Sequence, residues 1–135
     1  MSKPFRHPAP DPAERGLDGE PANIDWSAVL DDLGGDEELL RELVEAFVVM
    51  YPGALEEIRQ ALFREDLRAV SCAAHKLKGS VSNFGLGPAY DAALGLEEMA
   101  RTARMEATRV TFQIVVREFE CLKAKLQAHL RATSP

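Results

Sequence analysis

Leu67-Arg68-Ala69-Val70-Ser71-Cys72-Ala73-Ala74-His75-Lys76-Leu77-Lys78-Gly79-Ser80-Val81-Ser82-Asn83-Phe84 is the stretch that decides the fold. Its apolar residues recur every three or four positions, the period of a helix that buries one side. At about 100° per residue, Leu67, Val70, Ala74, Leu77, Val81 and Phe84 fall within an arc of roughly 100°. His75 lies about 130° from the middle of that stripe, at the centre of the polar side. Within about 60° of it are Arg68, Ser71, Cys72, Lys78, Gly79 and Ser82, all small, polar or basic. A lone histidine in a helical protein is usually a core residue or an inert surface one. The stripe points elsewhere, so the core reading fails.

Two neighbours argue against inertness. A glycine inside a helix costs roughly 1 kcal/mol relative to alanine. The apolar repeat continues past Gly79 through Val81 and Phe84, and Gly85 and Gly87 are better stop signals. Gly79 is therefore expected inside the helix, one turn from His75. What it gains there is steric: no side chain obstructs a partner approaching the imidazole. Lys78 adds a cation. Histidine side chains titrate near 6.5 when unperturbed, so the neutral, nucleophilic form exists at neutral pH. A phosphoryl group on a ring nitrogen would come within reach of the Lys78 ammonium. That charge-assisted contact favours the phosphorylated form and the transition state leading to it.

Working outward, ordered structure is expected from about Ile24. Asp25 is suited to cap a short helix carrying Trp26, Val29 and Leu30, stopped by Gly34-Gly35. Asp36 opens a longer pattern through Leu39, Leu40, Leu43, Val44, Phe47, Val48 and Met50. Pro52 should kink it before Leu55, Ile58, Leu62 and Phe63 resume the period, as one continuous element. Asp66 is the expected cap of the His75 helix. After Gly85-Leu86-Gly87, Pro88 fits the first turn of another helix. Tyr90, Ala93, Leu94, Leu96, Met99 and Ala100 form its expected inward side, to about Ala103. The last helix should start between Met105 and Thr108, with Phe112, Val115, Phe119, Leu122, Leu126 and Leu130 facing the core. No strand pattern competes. The expected fold is all-α: an antiparallel four-helix bundle with a short additional N-terminal helix. Residues 23–132 make up that domain. Residues 1–22, rich in proline and glycine, are expected to form a disordered tail that includes His7.

Composition narrows the function classes. At 135 residues there is room for one domain, and 46% hydrophobic content suffices for one bundle core. A formal charge of -6 argues against general nucleic-acid binding, which leaves a basic footprint. Cys72 and Cys121 have neither metal-ligand spacing nor the look of a disulfide framework, and read as free thiols of a reducing, cytoplasmic compartment. No apolar run approaches the roughly 20 residues of a membrane span. Gly34-Gly35 and Gly85-Leu86-Gly87 lack the lysine and strand context of a phosphate loop, so autonomous ATP chemistry is not expected.

At His75-Lys76-Leu77-Lys78-Gly79-Ser80, followed by Phe84-Gly85, the chain resembles the histidine-containing phosphotransfer domains. Weaker flanking similarity covers Phe63-Arg64-Glu65-Asp66-Leu67 and Leu94-Gly95-Leu96-Glu97, and the whole extends from about Ile24 to Leu130. The resemblance implies a phosphorelay intermediate. His75 would accept a phosphoryl group from a phospho-aspartyl receiver domain, downstream of a hybrid sensor histidine kinase, and pass it to the aspartate of another response regulator. Lys78 would steady the phosphate, and Gly79 would leave room for the receiver. Arg68, Lys76, Gly79 and Ser82 are the expected docking residues; Lys76 occupies a variable position of the signature. The resemblance further implies that this chain binds no cofactor, that Mg²⁺ comes with the receiver, and that the bundle is a rigid monomeric carrier without kinase activity of its own.

Two other classes stay open on sequence alone. In one, a separate chemotaxis-type histidine kinase phosphorylates His75 directly. In the other, the bundle binds receivers without being phosphorylated. Zinc binding is more remote, because His75 has no second histidine or cysteine four residues on.

Overall fold

The structure is a computed structural model that describes residues 24–133. The expected N-terminal tail, with His7, lies outside the described residues. Among the described residues, five α-helices follow one another: α1 Trp26–Asp32, α2 Glu37–Phe63, α3 Leu67–Val81, α4 Pro88–Arg101 and α5 Met105–Thr133. A 3₁₀ turn, Ser82–Phe84, extends α3. No strand occurs among the described residues.

Three aspartates start three of the helices. The side chain of Asp25 accepts a hydrogen bond from the Ala28 N–H at 3.1 Å. Asp36 does the same for Leu39 at 3.0 Å, and Asp66 for Ala69 at 3.1 Å. Each satisfies one of the amide groups that a helix leaves unpaired at its first turn. Pro88 opens α4, where its missing N–H costs nothing. The 27 residues of α2 run through Pro52 as a single element.

Short connections between α2, α3, α4 and α5 make each helix antiparallel to the one before it, and α5 closes the bundle against α2. α1 reaches the 3₁₀ turn at one end, where Trp26 stacks on His129 of α5 with ring centroids 3.7 Å apart. At the centre, Phe47 meets Tyr51, Phe84 and Phe119 at centroid separations of 5.1, 5.6 and 5.8 Å. The Tyr51 hydroxyl donates to Glu120 at 2.8 Å, so this buried phenol reaches a polar partner at the surface. Burial, reinforced by that carboxylate, pushes the Tyr51 phenol well above its usual range.

The structure departs from the expected pattern at several points, among them Leu39 and Met50 of α2, which are exposed. On α4 the buried residues are Ala89, Ala92, Ala93, Leu96 and Ala100, while Tyr90, Leu94 and Met99 are half-buried. A seam of alanines lets α4 lie close to α3, and the larger side chains are displaced to its edges. Phe63 is 85% exposed, because α2 ends there and the ring points off the last turn. The end of α4 comes at Arg101, two residues early. Ala103 takes a left-handed φ of 59°, and the Arg104 N–H turns back to the Met99 carbonyl at 3.0 Å. Glu65 does the same after α2, with φ 59° and the Asp66 N–H on the Ala61 carbonyl at 2.8 Å. Both are helix stops of the kind usually assigned to glycine, made by residues that carry no such signal.

Candidate functional site

His75 stands on the outer side of α3 with its side chain 65% exposed. Ala74 and Leu77 beside it are buried, so the packing of their side chains fixes the direction of the imidazole. Gly79 is internal to α3, one turn on, and a Cβ built there meets no atom within 4 Å. Close packing of the chain's own helices therefore does not explain the glycine. The opening faces solvent.

The antiparallel return of α4 brings Glu97 to this face. His75 Nδ1 lies 2.9 Å from Glu97 Oε2, and Lys78 Nζ lies 2.9 Å from Glu97 Oε1. Glu97 and Lys78 are both largely shielded, with side chains 17% and 19% exposed. Among the described residues Oε1 has no partner besides the Lys78 ammonium, which meets it at ion-pair distance. Two of the three ammonium protons of Lys78 are not needed by Glu97.

The electrostatics assign the proton on His75. Lys78, opposed by partial burial and helped by His75, holds the Glu97 carboxyl below its usual range. Glu97 in turn raises the Lys78 ammonium, against a smaller penalty from desolvation. An ionised carboxylate only accepts hydrogen bonds, so Nδ1 carries the proton and donates to Glu97. In a neutral ring, Nε2 then keeps the lone pair. Oriented this way, the exposed imidazole is a nucleophile at Nε2, with a carboxylate behind it that stabilises positive charge once Nε2 forms a bond.

Sequence reasoning placed His75, Lys78 and Gly79 together, and the structure puts all three on one face. It missed Glu97 as a partner of His75. The weak family similarity at Leu94-Gly95-Leu96-Glu97 did not assign it a role, and the signal that pairs it with His75 is topological. Both residues lie eleven positions from Leu86, so folding two helices back about Gly85-Leu86-Gly87 brings them level. Of the expected docking residues, Arg68, Lys76 and Gly79 are exposed on α3. Ser82 is exposed in the 3₁₀ turn, and its hydroxyl donates to the Gly79 carbonyl at 2.7 Å. On the α2 side, a hollow of about 240 Å³ separates Met50, Gly53 and Ala54 from Ala73, Lys76 and Ser80. Met50 is 40% exposed, and a Cβ on Gly53 also meets nothing within 4 Å.

A family model described as Hpt domain matches residues 42–132, spanning the bundle and the site. The chain belongs to the Hpt domain family. It is a histidine phosphotransfer intermediate of two-component signalling. Two solved structures share the fold. Histidine-containing phosphotransfer protein B from Pseudomonas aeruginosa PAO1 is 22% identical, with a TM-score of 0.75 over 83% of this chain and 97% of that one. The maize protein ZmHP2 is 20% identical, with a TM-score of 0.70 over 88% of each chain. No curated protein matches. Hpt domains interact in general with response-regulator receivers and with kinases. Among the described residues of this Hpt domain, no helix is long and apolar enough to cross a membrane.

Proposed function

We propose that His75 is the residue on which this Hpt domain carries the phosphoryl group, through Nε2. The observation that carries the reading is the hydrogen bond from Nδ1 to Glu97 on an imidazole left open to solvent. In the forward step, the Nε2 lone pair attacks phosphorus of a receiver's aspartyl phosphate. The bond from phosphorus to the aspartate oxygen breaks, and its electron pair stays on the departing carboxylate. Positive charge on the phosphorylated ring is met by Glu97 through Nδ1–H. In the return step, the aspartate of a second receiver attacks phosphorus and the N–P electrons go back to Nε2. Lys78 neutralises the phosphoryl oxygens by swinging from Glu97 towards them.

The partners are a receiver domain linked to a hybrid sensor histidine kinase and a second response regulator. Their footprint covers Arg68, Lys76, Gly79 and Ser82. It also extends over the hollow at Met50 and Gly53, because about 800 Å² per partner exceeds what one helix face offers. Mg²⁺ belongs to the receiver: the carboxylate nearest His75 is Glu97, and both its oxygens are engaged within this chain. The domain works as a cytoplasmic monomer, positioning the imidazole without supplying an ATP site. Incubation with each phosphorylated receiver of the source genome, read as initial rates of label transfer, tests this. One or two receivers should label the chain far faster than the rest. Labelling only by a kinase, with no receiver competent, would assign the chain to direct kinase phosphorylation instead.

A further inference from the structure

We propose that the hollow beneath the Phe84–Pro88 turn is a second binding site, for a compact ligand with an apolar body and one cationic end. This hollow, of about 170 Å³, is separate from His75 and lies where the segment leading into α1, the turn, the first residues of α4 and α5 meet. Its walls are mainly apolar, with Ile24, Val81, Phe84, Leu86, Pro88 and Leu122 contributing. A dry apolar cavity of about 150 Å³ is enough to hold a benzene ring, so the space suits one ring or a short branched chain.

The mouth is open. Leu86 is 76% exposed at the lip, and Cβ atoms built on Gly85 and Gly87 meet nothing within 4 Å. Charge selects the occupant. Among the described residues, Asp25 and Glu118 line the hollow with two carboxylates against one ammonium, that of Lys125. Asp25 caps α1 through Oδ1, and Oδ2 takes no part in that bond. An apolar body would enter the hollow while an amine stayed at the rim, the usual division of a small-molecule site between apolar walls and a few polar groups. An anion of the same shape would meet net negative charge. Tyr90 of α4 forms part of the wall. The hollow shares no residue with the His75–Glu97–Lys78 ion pairs.

The test is a titration of the full-length ¹⁵N-labelled protein with benzylamine, benzyl alcohol and benzoate, following the amides of Gly85, Leu86, Gly87 and Tyr90. Benzylamine should shift these amides saturably and bind roughly tenfold more tightly than benzoate. Glu118→Gln should remove most of that preference while leaving benzyl alcohol unaffected. Gly87→Leu, at an extended φ of -145° that any residue adopts, should fill the mouth and abolish the shifts. The proposal is overturned if no probe saturates these amides, or if benzoate binds as well as benzylamine. Shifts that depend on protein concentration without any probe also overturn it, since a second copy would then own the face.

Discussion

Replacing Gly79 by alanine should stabilise the fold and impair transfer, two opposed effects that a purely structural glycine would not produce. Gly79 lies inside α3, and the added methyl meets nothing within 4 Å. The substitution therefore gains the ordinary helix preference of alanine, about 0.5–1 kcal/mol, with no steric penalty. For a domain of this size that raises the midpoint of thermal unfolding by about 2–6 °C. The same methyl stands in the approach to His75. Overpacking a closely fitted contact costs about 1–3 kcal/mol, which corresponds to a fall of roughly 5- to 150-fold in kcat/KM for transfer from a phosphorylated receiver. Because the imidazole, Glu97 and Lys78 are untouched, kcat at saturating receiver should recover much of the loss. Thermal denaturation followed by circular dichroism, together with single-turnover transfer at varied receiver concentration, measures both effects. Gly79→Leu should deepen the transfer defect. Unchanged transfer in Gly79→Leu would refute the steric account, and so would a destabilised Gly79→Ala.

Four further outcomes are expected. Lys78→Ala should slow transfer at least tenfold at saturating receiver while leaving helicity nearly unchanged, since its contact is with one partly shielded carboxylate; equal rates would remove its role at the phosphate. Glu97→Gln should weaken transfer and remove a pH dependence. The folded-state pKa of Glu97 is lowered, so its contribution to stability is present above the ordinary carboxylate range and is lost as pH falls below about 4.5. Lys78 is raised, so its share persists at lower pH and disappears only as pH rises beyond about 10.5. As pH falls from 7 to 3, unfolding free energies should therefore decrease less steeply in the glutamine variant than in wild type. Tyr51→Phe should cost about 0.5–1.5 kcal/mol in urea denaturation, the usual value of one hydrogen bond, and leave transfer intact. Ala103→Gly should raise stability by up to about 1 kcal/mol, because the left-handed φ of 59° penalises a Cβ; a loss would show that the turn is held by contacts outside the backbone.

The parts of the fold that are local in sequence were legible. Asp25, Asp36 and Asp66 announced helix starts, because capping needs only a short acceptor and an amide three residues on. The stripe from Leu67 to Phe84 put His75 outside for the same reason: helical period is a property of one segment. What escaped depends on two segments at once. Glu97 belongs to the site only because α4 returns antiparallel at a spacing set by Ala89, Ala92, Ala93 and Ala100, and no periodicity within α4 points to it. Phe63 looked like core by period, yet α2 stops under it. Ala103 and Glu65 stop helices without glycine, so the ends of α2 and α4 are set by how α3 and α5 pack. The hollow beside Gly53 has the same origin, since neither α2 nor α3 shows it alone.

The most direct measurement is the position of the phosphate after exposure to a phosphorylated receiver, read by tandem mass spectrometry together with acid and base stability. A single acid-labile, base-stable phosphoryl group should appear on His75, and none on the His75→Gln protein. Label on any other side chain, or undiminished label in His75→Gln, would contradict a carrier role for this imidazole.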